Sequence, residues 1–98
     1  MLTFEKVLEV FEDYLKQDEV VEVVHTKRGY TVMLWEEKQE MWFGVELCKT
    51  PELLRDALLN GYYDFTEQQL THNRRDLTEK EIADIQSQCE QLRDRCEE

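Results

Sequence analysis

The sequence contains few residues that interrupt or cross-link a chain: one proline, three glycines and three cysteines among 98 residues. This scarcity leaves no room for a flexible linker or a low-complexity segment. Because there is also no internal repeat, we expect a single domain over residues 1–98. No stretch approaches the roughly 20 apolar residues of a membrane span, and the N-terminus lacks the pattern of a signal peptide. We therefore expect a cytoplasmic protein with free thiols.

Basic residues are also scarce, with 12 Lys and Arg against 23 Asp and Glu, which gives a formal charge of −11. The only basic clusters are the pairs Lys27-Arg28 and Arg74-Arg75. Such short clusters cannot track a phosphate backbone, which argues against direct nucleic-acid binding. A strongly acidic ordered surface instead attracts basic protein grooves, including those built to hold nucleic acid.

Residues that carry catalysis or bind metals do not form a recognisable set. Cys89 and Cys96 are separated by about 10 Å along a helix, too far for a disulfide or for one tetrahedral ion. His25 and His72 are the only histidines, and no phosphate-binding loop, nucleophile elbow or H-E-x-x-H motif is present. We expect no enzymatic activity, no cofactor and no metal, and we interpret the cysteines as packed, inert thiols.

A first helix is predicted over residues 3–17, with Thr3 as its cap. Its apolar residues recur at helical spacing: Phe4, Val7, Leu8, Phe11, Tyr14 and Leu15. Glu5, Glu9 and Glu12 form an acidic stripe on the opposite face. This stripe is either a solvated surface or a partner-binding surface.

Three strands are predicted over residues 19–26, 30–36 and 41–48, forming an antiparallel meander. A four-residue loop at 37–40 would pair Glu36 with Met41 and fix the register. One face would then pair Leu34 with Phe43, Val32 with Val45 and Tyr30 with Leu47, and we expect the first helix to cover the Val32, Leu34, Phe43 and Val45 face. The other face would pair Trp35 with Trp42, Met33 with Gly44 and Thr31 with Glu46. Because this second face is too apolar for plain solvent exposure, either a helix covers it or it binds a partner.

Helices are predicted after the sheet over residues 51–60, 66–72 and 79–97, which completes an α+β fold with helices packed on the sheet. Thr50 and Pro51 begin the first of these helices, and Asn60-Gly61 is expected to end it. Thr78 and Glu81 form a capping box that begins the last. That helix carries an apolar seam of Ile82, Ile85, Cys89, Leu92 and Cys96. So short a seam normally packs within its own domain, so we expect a monomer and keep dimerisation through the seam as an alternative.

The segment Thr50–Leu59, together with Leu70-Thr71 and Leu77-Thr78-Glu79, resembles small acidic proteins of Gram-positive mobile elements. In layout the chain is also similar to some type II anti-CRISPR inhibitors. That similarity lies in size, charge and order of elements, and no residue is carried over from it. It implies inhibition of an RNA-guided nuclease, in some cases by occupation of the groove that reads DNA.

Charge and layout together predict a non-enzymatic inhibitor of a basic nucleic-acid-handling protein, most specifically a type II CRISPR nuclease with or without guide RNA. The alternative is a protein–protein adaptor of a mobile element that acts through the Trp35/Trp42 patch or the last helix. The candidate partner-binding residues are Glu5, Glu9, Glu12, Trp35, Trp42, Glu81, Asp84, Glu90 and Asp94.

Overall fold

The computed structural model describes residues 1–98 and confirms the α+β architecture. Two N-terminal helices precede a three-stranded antiparallel sheet in the order β1-β2-β3, and two long helices follow. The elements are α1 (Phe4–Val10), α2 (Glu12–Gln17), β1 (Val21–Thr26), β2 (Gly29–Glu36), β3 (Met41–Cys48), α3 (Pro51–Thr71) and α4 (Glu79–Cys96).

The N-terminal helical segment is interrupted at Phe11, so the single helix predicted over residues 3–17 is wrong in that respect. Phe11 leaves helical geometry at φ −94° and ψ 8°, while its ring is fully buried. Its amide still donates to the Val7 carbonyl at 3.1 Å, so α2 follows α1 without a loop. The predicted cap is confirmed, because the Thr3 hydroxyl accepts from the Lys6 amide at 3.0 Å.

Helix α3 runs without a break through Asn60 and Gly61, so the separate helices predicted over 51–60 and 66–72 are one element. Gly61 is required by packing, because a Cβ atom there would lie 2.6 Å from the hydroxyl oxygen of Tyr14. Beyond Gly61, Tyr62 and Phe65 pack edge-on against Tyr14, with ring centroids 5.8 and 5.7 Å away. These contacts extend the buried face, and the helix ends only at His72, in the left-handed conformation.

The β2–β3 register follows the prediction up to a bulge in β3. The pairs Leu34–Phe43, Trp35–Trp42 and Glu36–Met41 are confirmed. Beyond them Gly44 and Val45 together lie opposite Met33, and Gly44 adopts φ +59°, as in the first residue of a G1 bulge. The extra residue makes the three predicted pairs beyond Met33 wrong: Val32 pairs with Glu46, Thr31 with Leu47 and Tyr30 with Cys48.

The bulge reverses the faces of the second half of β3. Cys48 now points to the helices and is fully buried, whereas Val45 and Leu47 lie on the opposite face with exposed fractions of 61% and 38%. Val45, expected under the first helix, is therefore outside the core. Phe43 remains on the helix side but is 43% exposed, so it is not covered as predicted.

The core lies between one face of the sheet and the helices. Helix α3 packs on β2 and β3, and α4 packs on α1 and α3. The prediction that the first helix covers this face is incomplete, because α3 also packs on it, while Phe4 of α1 packs on Tyr30 of β2 at a centroid distance of 4.9 Å. The buried cluster consists of Val7, Val10, Phe11, Tyr14, Val21, Val32, Cys48, Leu54, Ala57, Leu58 and Cys96. The apolar seam of α4 faces this core, with Ile85 and Cys96 buried and Ile82, Cys89 and Leu92 half-buried.

Candidate protein-binding surfaces

The acidic stripe of the N-terminal helices lies on exposed surface. Glu5 and Glu9, one helical turn apart on α1, are exposed and form no ion pair. Glu12 lies in α2, beyond the interruption at Phe11, and contacts Lys16 at 3.1 Å across one turn. That pair is solvent-exposed, and such pairs contribute little to stability. The stripe therefore presents carboxylates on a backbone that the core holds in place.

Helix α4 presents a second acidic surface. Glu90 and Asp94 are exposed and unpaired, and Asp84 lies 3.6 Å from Lys80, also across one turn. Over the whole chain, the ion pairs engage only Glu12, Asp56, Glu81, Asp84 and Glu97 among the 23 acidic residues. Most of the negative charge is thus left without an internal partner.

Glu81 differs from the other candidate acids because it holds the start of α4. Its side chain accepts from the Thr78 amide at 2.9 Å, and the Thr78 hydroxyl accepts from the Glu81 amide, so the predicted capping box is confirmed. Both carboxylate oxygens also accept from Arg75, at 2.8 and 3.0 Å. The Arg75 guanidinium and the Thr78 backbone lower the pKa of Glu81 to about 2. This carboxylate is engaged internally and is less available to a partner.

Trp35 and Trp42 form a cross-strand pair on the face of the sheet that points away from the helices. Their ring centroids are 4.9 Å apart at 63°, and Trp35 Nε1 donates to Glu37 at 2.7 Å. Six apolar side chains share this surface, which we call the outer face: Val24, Met33, Trp35, Trp42, Val45 and Leu47. None of them belongs to the core cluster or packs against it. No helix of the chain covers this face, so the alternative that a helix covers it is excluded. The other alternative, binding of a partner, stays a prediction.

Arg55 is a structural residue that sequence reasoning missed. It lies within an apolar run of α3, is 7% exposed, and contacts Asp56 at 3.0 Å and Glu97 at 3.2 Å. The N-terminal amine of Met1 also donates to the Glu97 carbonyl at 2.9 Å. The end of α4 is thereby fixed to the start of α3. The only available signal was an arginine at a position of α3 where helical spacing expects an apolar residue.

A cleft of about 470 Å³ opens between the N-terminal helices, α3 and α4. Its lining is rich in glutamine, and its charged residues are Asp13 and Arg95. Within it the Tyr62 hydroxyl donates to Gln88 at 2.6 Å. Tyr14 borders the cleft, donates to Asp18 at 2.8 Å, and has a raised pKa because of its burial and this hydrogen bond. The cleft contains no pair of nucleophile and base.

The three cysteines are free, with Cys48 and Cys96 buried and Cys89 half-buried. Burial raises the pKa of Cys48 to about 11 and also raises the pKa values of Cys89 and Cys96. Thiolates are therefore disfavoured at all three positions. His25 is exposed and stacks on Tyr30 with a centroid distance of 4.3 Å. No group of three or more His, Cys, Asp or Glu side chains is arranged to hold a metal ion.

None of the helices combines the length and the apolar character needed to cross a membrane. No protein-family model matches the chain, and neither the curated proteins nor the solved structures contain a significant match. Fold, charge and surface chemistry therefore carry the functional argument.

Proposed function

We propose that this protein is a non-enzymatic inhibitor that binds a basic nucleic-acid-handling protein through its acidic helix surfaces. The observation that carries the proposal is the set of exposed, unpaired carboxylates on α1 and α4, in a chain of net charge −11. A dense negative field on an ordered surface attracts basic grooves and speeds association with them.

The spacing of the carboxylates supports competition with nucleic acid. Glu5 and Glu9 lie at i and i+4, so their Cβ atoms are about 6 Å apart, a rough match to successive phosphates of one strand. Because α1 is held by the buried Val7 and Val10, binding would not require the ordering of a flexible tail. A rigid acidic helix can therefore compete for a phosphate-binding channel without the entropy cost of ordering a flexible segment.

A type II RNA-guided nuclease, alone or with its guide RNA, is the most specific candidate partner. Such nucleases hold their nucleic acids in positively charged channels and read a short duplex motif with arginines. The order of a helix, a three-stranded antiparallel sheet and further helices is the layout on which the similarity to anti-CRISPR inhibitors depends. Inhibition would follow if the acidic helices occupied the site of DNA or guide RNA.

The first prediction tests this proposal by charge reversal of the stripe. The variant with Glu5, Glu9 and Glu12 changed to Lys should lose inhibition of target-DNA cleavage by a purified type II nuclease–guide RNA complex. The reason is that the three lysines would be repelled by the positively charged channel of the nuclease, which attracts the three glutamates. The wild-type protein should inhibit, and its apparent affinity should fall as salt is raised from about 0.05 to about 0.5 M. Cleavage assays and biolayer interferometry at two salt concentrations measure both effects.

The matched control reverses three exposed acids elsewhere, Glu22, Glu46 and Asp76, so that the net charge changes equally. This control should retain most of the inhibition. Equal loss in both variants would show that total charge rather than the stripe matters. Absence of binding by the wild-type protein to type II nucleases would reject the specific candidate. Absence of binding to any basic nucleic-acid-handling protein would reject the proposed class.

The outer face favours a second candidate function, that of a protein–protein adaptor of a mobile element. The supporting observation is that Trp42 and Val45 are 42% and 61% exposed on a face without a cover. The other version of this hypothesis used the last helix, whose apolar seam packs within the chain and leaves its polar outer surface exposed. Under the adaptor function, Trp35→Ala and Trp42→Ala should abolish complex formation while the Glu5/Glu9/Glu12 reversal should have little effect.

A further inference from the structure

The outer face is apolar in its middle and oppositely charged at its two ends. Lys27 and Arg28 form the β1–β2 turn and Lys49 directly follows β3, and no acidic residue lies in this turn or directly after β3. The other end carries one base, Lys38, and five acids: Asp18, Glu19, Glu36, Glu37 and Glu40. The sheet therefore has a positive end and a negative end, which are about 26 Å apart along strands of eight residues.

Side-chain size follows the same polarity. The two tryptophans lie near the negative end, because Trp35 and Trp42 pair next to Glu36 and Met41. Smaller side chains occupy the positive end, where Thr31 pairs with Val24 on one side and Leu47 on the other. The large tryptophan side chains at one end are thus complementary in size to the smaller side chains at the other end.

We propose that the outer face binds a second copy of this chain, so that two sheets pack face to face. The two-fold axis lies between the sheets, parallel to their planes and perpendicular to the strands. This axis reverses the strand direction of the second sheet. The positive end of each copy then lies over the negative end of the other, and each tryptophan pair lies over the Val24, Thr31 and Leu47 region of its partner. A two-fold axis along the strands would instead oppose like charges and stack tryptophans on tryptophans.

The geometry also fits what aligned sheets require. Sheets that pack face to face do so about 10 Å apart with inner faces of interdigitating apolar side chains. Within the outer face Glu22 is the only ionisable side chain of the three strands, paired across from Met33 near an edge. The face spans about 26 Å by about 14 Å, less than the roughly 800 Å² per partner of a standard interface. We therefore expect a weak, reversible dimer.

Such a dimer goes beyond the proposed function and does not depend on it. The helices lie on the other side of each sheet, so both acidic helix layers would remain exposed, one on each side of the dimer. One assembly would then present two equivalent acidic surfaces.

The test is sedimentation velocity of the purified full chain from about 1 µM to about 500 µM, a range that brackets micromolar affinity. We expect a concentration-dependent monomer–dimer equilibrium and a blue shift of tryptophan emission as the dimer forms. Val45→Glu, which places a charge in the middle of the apolar face, should weaken dimerisation at least about tenfold. Gln86→Glu adds the same charge to an exposed position of α4 and should leave the equilibrium unchanged.

Charge swaps determine the orientation. The variant Lys27→Glu/Arg28→Glu should dimerise more weakly, because both ends of its sheet become negative, and mixing it with Glu19→Lys/Glu40→Lys should partly restore association. A strengthened dimer from the first variant would overturn the antiparallel orientation, since it would mean that like ends face each other. Circular-dichroism melting establishes that each variant is folded, and Trp42→Ala disrupts the face without adding a charge.

The proposal is overturned if the wild-type chain stays monomeric throughout this range, or if it dimerises equally well with Val45→Glu and Trp42→Ala. If the chain stays monomeric and its outer face binds a different protein, that face belongs to the adaptor function instead. Loss of nuclease inhibition by the Glu5/Glu9/Glu12 reversal with dimerisation intact would separate the two proposals.

Discussion

At the scale of single residues, Gly61 shows how one contact outweighs a local signal. Gly61→Ala would ordinarily stabilise a helix interior by about 1 kcal/mol. Here the new Cβ atom would lie 2.6 Å from the Tyr14 hydroxyl, which burial and the bond to Asp18 hold in place. We predict that Gly61→Ala destabilises the protein by about 1–3 kcal/mol in urea unfolding, as overpacking typically does.

Removal of the Tyr14 hydroxyl provides the control for the Gly61→Ala prediction. In a Tyr14→Phe background the nearest ring atom to the new Cβ is 3.6 Å away, which is ordinary van der Waals contact. Gly61→Ala should then be neutral or stabilising, even though Tyr14→Phe alone loses a hydrogen bond worth about 1 kcal/mol. Equal destabilisation by Gly61→Ala in both backgrounds would contradict the steric explanation.

Glu81 carries a prediction about pH. Its pKa is lowered from the ordinary value of 4.5 to about 2, so the folded state favours the charged carboxylate. The resulting stabilisation is complete above pH 4.5 and is lost as the pH falls towards 2. Glu81→Gln should lower the melting temperature at pH 7, and the difference from wild type should narrow between pH 4.5 and 2. Glu90→Gln, which removes one carboxylate from an exposed, unpaired site of the same helix, is the matched control.

At the scale of elements, α4 separates residues that fold the chain from residues that are free to bind. Asp84, Glu90 and Asp94 are exposed, so changing all three to Ala should alter the free energy of unfolding by no more than about 0.5 kcal/mol per site. Glu81→Ala should lower stability more, because the capping box and the Arg75 pair are lost.

If α4 contributes to the proposed inhibitor surface, the triple variant should bind the nuclease more weakly, mainly through slower association at low salt. Stopped-flow or biolayer association rates at two ionic strengths measure this effect. Unchanged association by the folded triple variant would remove α4 from the interface and leave the stripe on α1 and α2 as the binding surface.

At the scale of the whole molecule, the chain is a flat, two-sided body of 41 × 38 × 18 Å. One side is a helix layer that presents acidic residues, and the other is an apolar sheet face with charged ends. These two surfaces suit different partners: a basic groove for the helices and an apolar, charge-complementary surface for the sheet. The proposed inhibition and the proposed dimer can therefore coexist in one assembly.

The sequence by itself determined the order of a helical segment, a three-stranded sheet and further helices, the caps at Thr3, Thr50 and Thr78, and the pairing next to the β2–β3 turn. These features depend on neighbours within a few residues, so local chemistry is enough to predict them. It also located the candidate acids on helices and the tryptophans on one sheet face. Whether those residues bind a partner depends on a molecule outside the chain, so they stay predictions.

Only the tertiary structure decided where local signals yield to distant contacts. The continuity of α3 through Gly61 depends on Tyr14, which is 47 positions earlier in the chain. The bulge at Gly44 turned Val45 and Leu47 outward and Cys48 inward, because one extra residue reverses every face beyond it. The buried role of Arg55 depends on Glu97 at the far end of the chain. Contacts between positions so far apart leave no local pattern, because they exist only once the chain has folded.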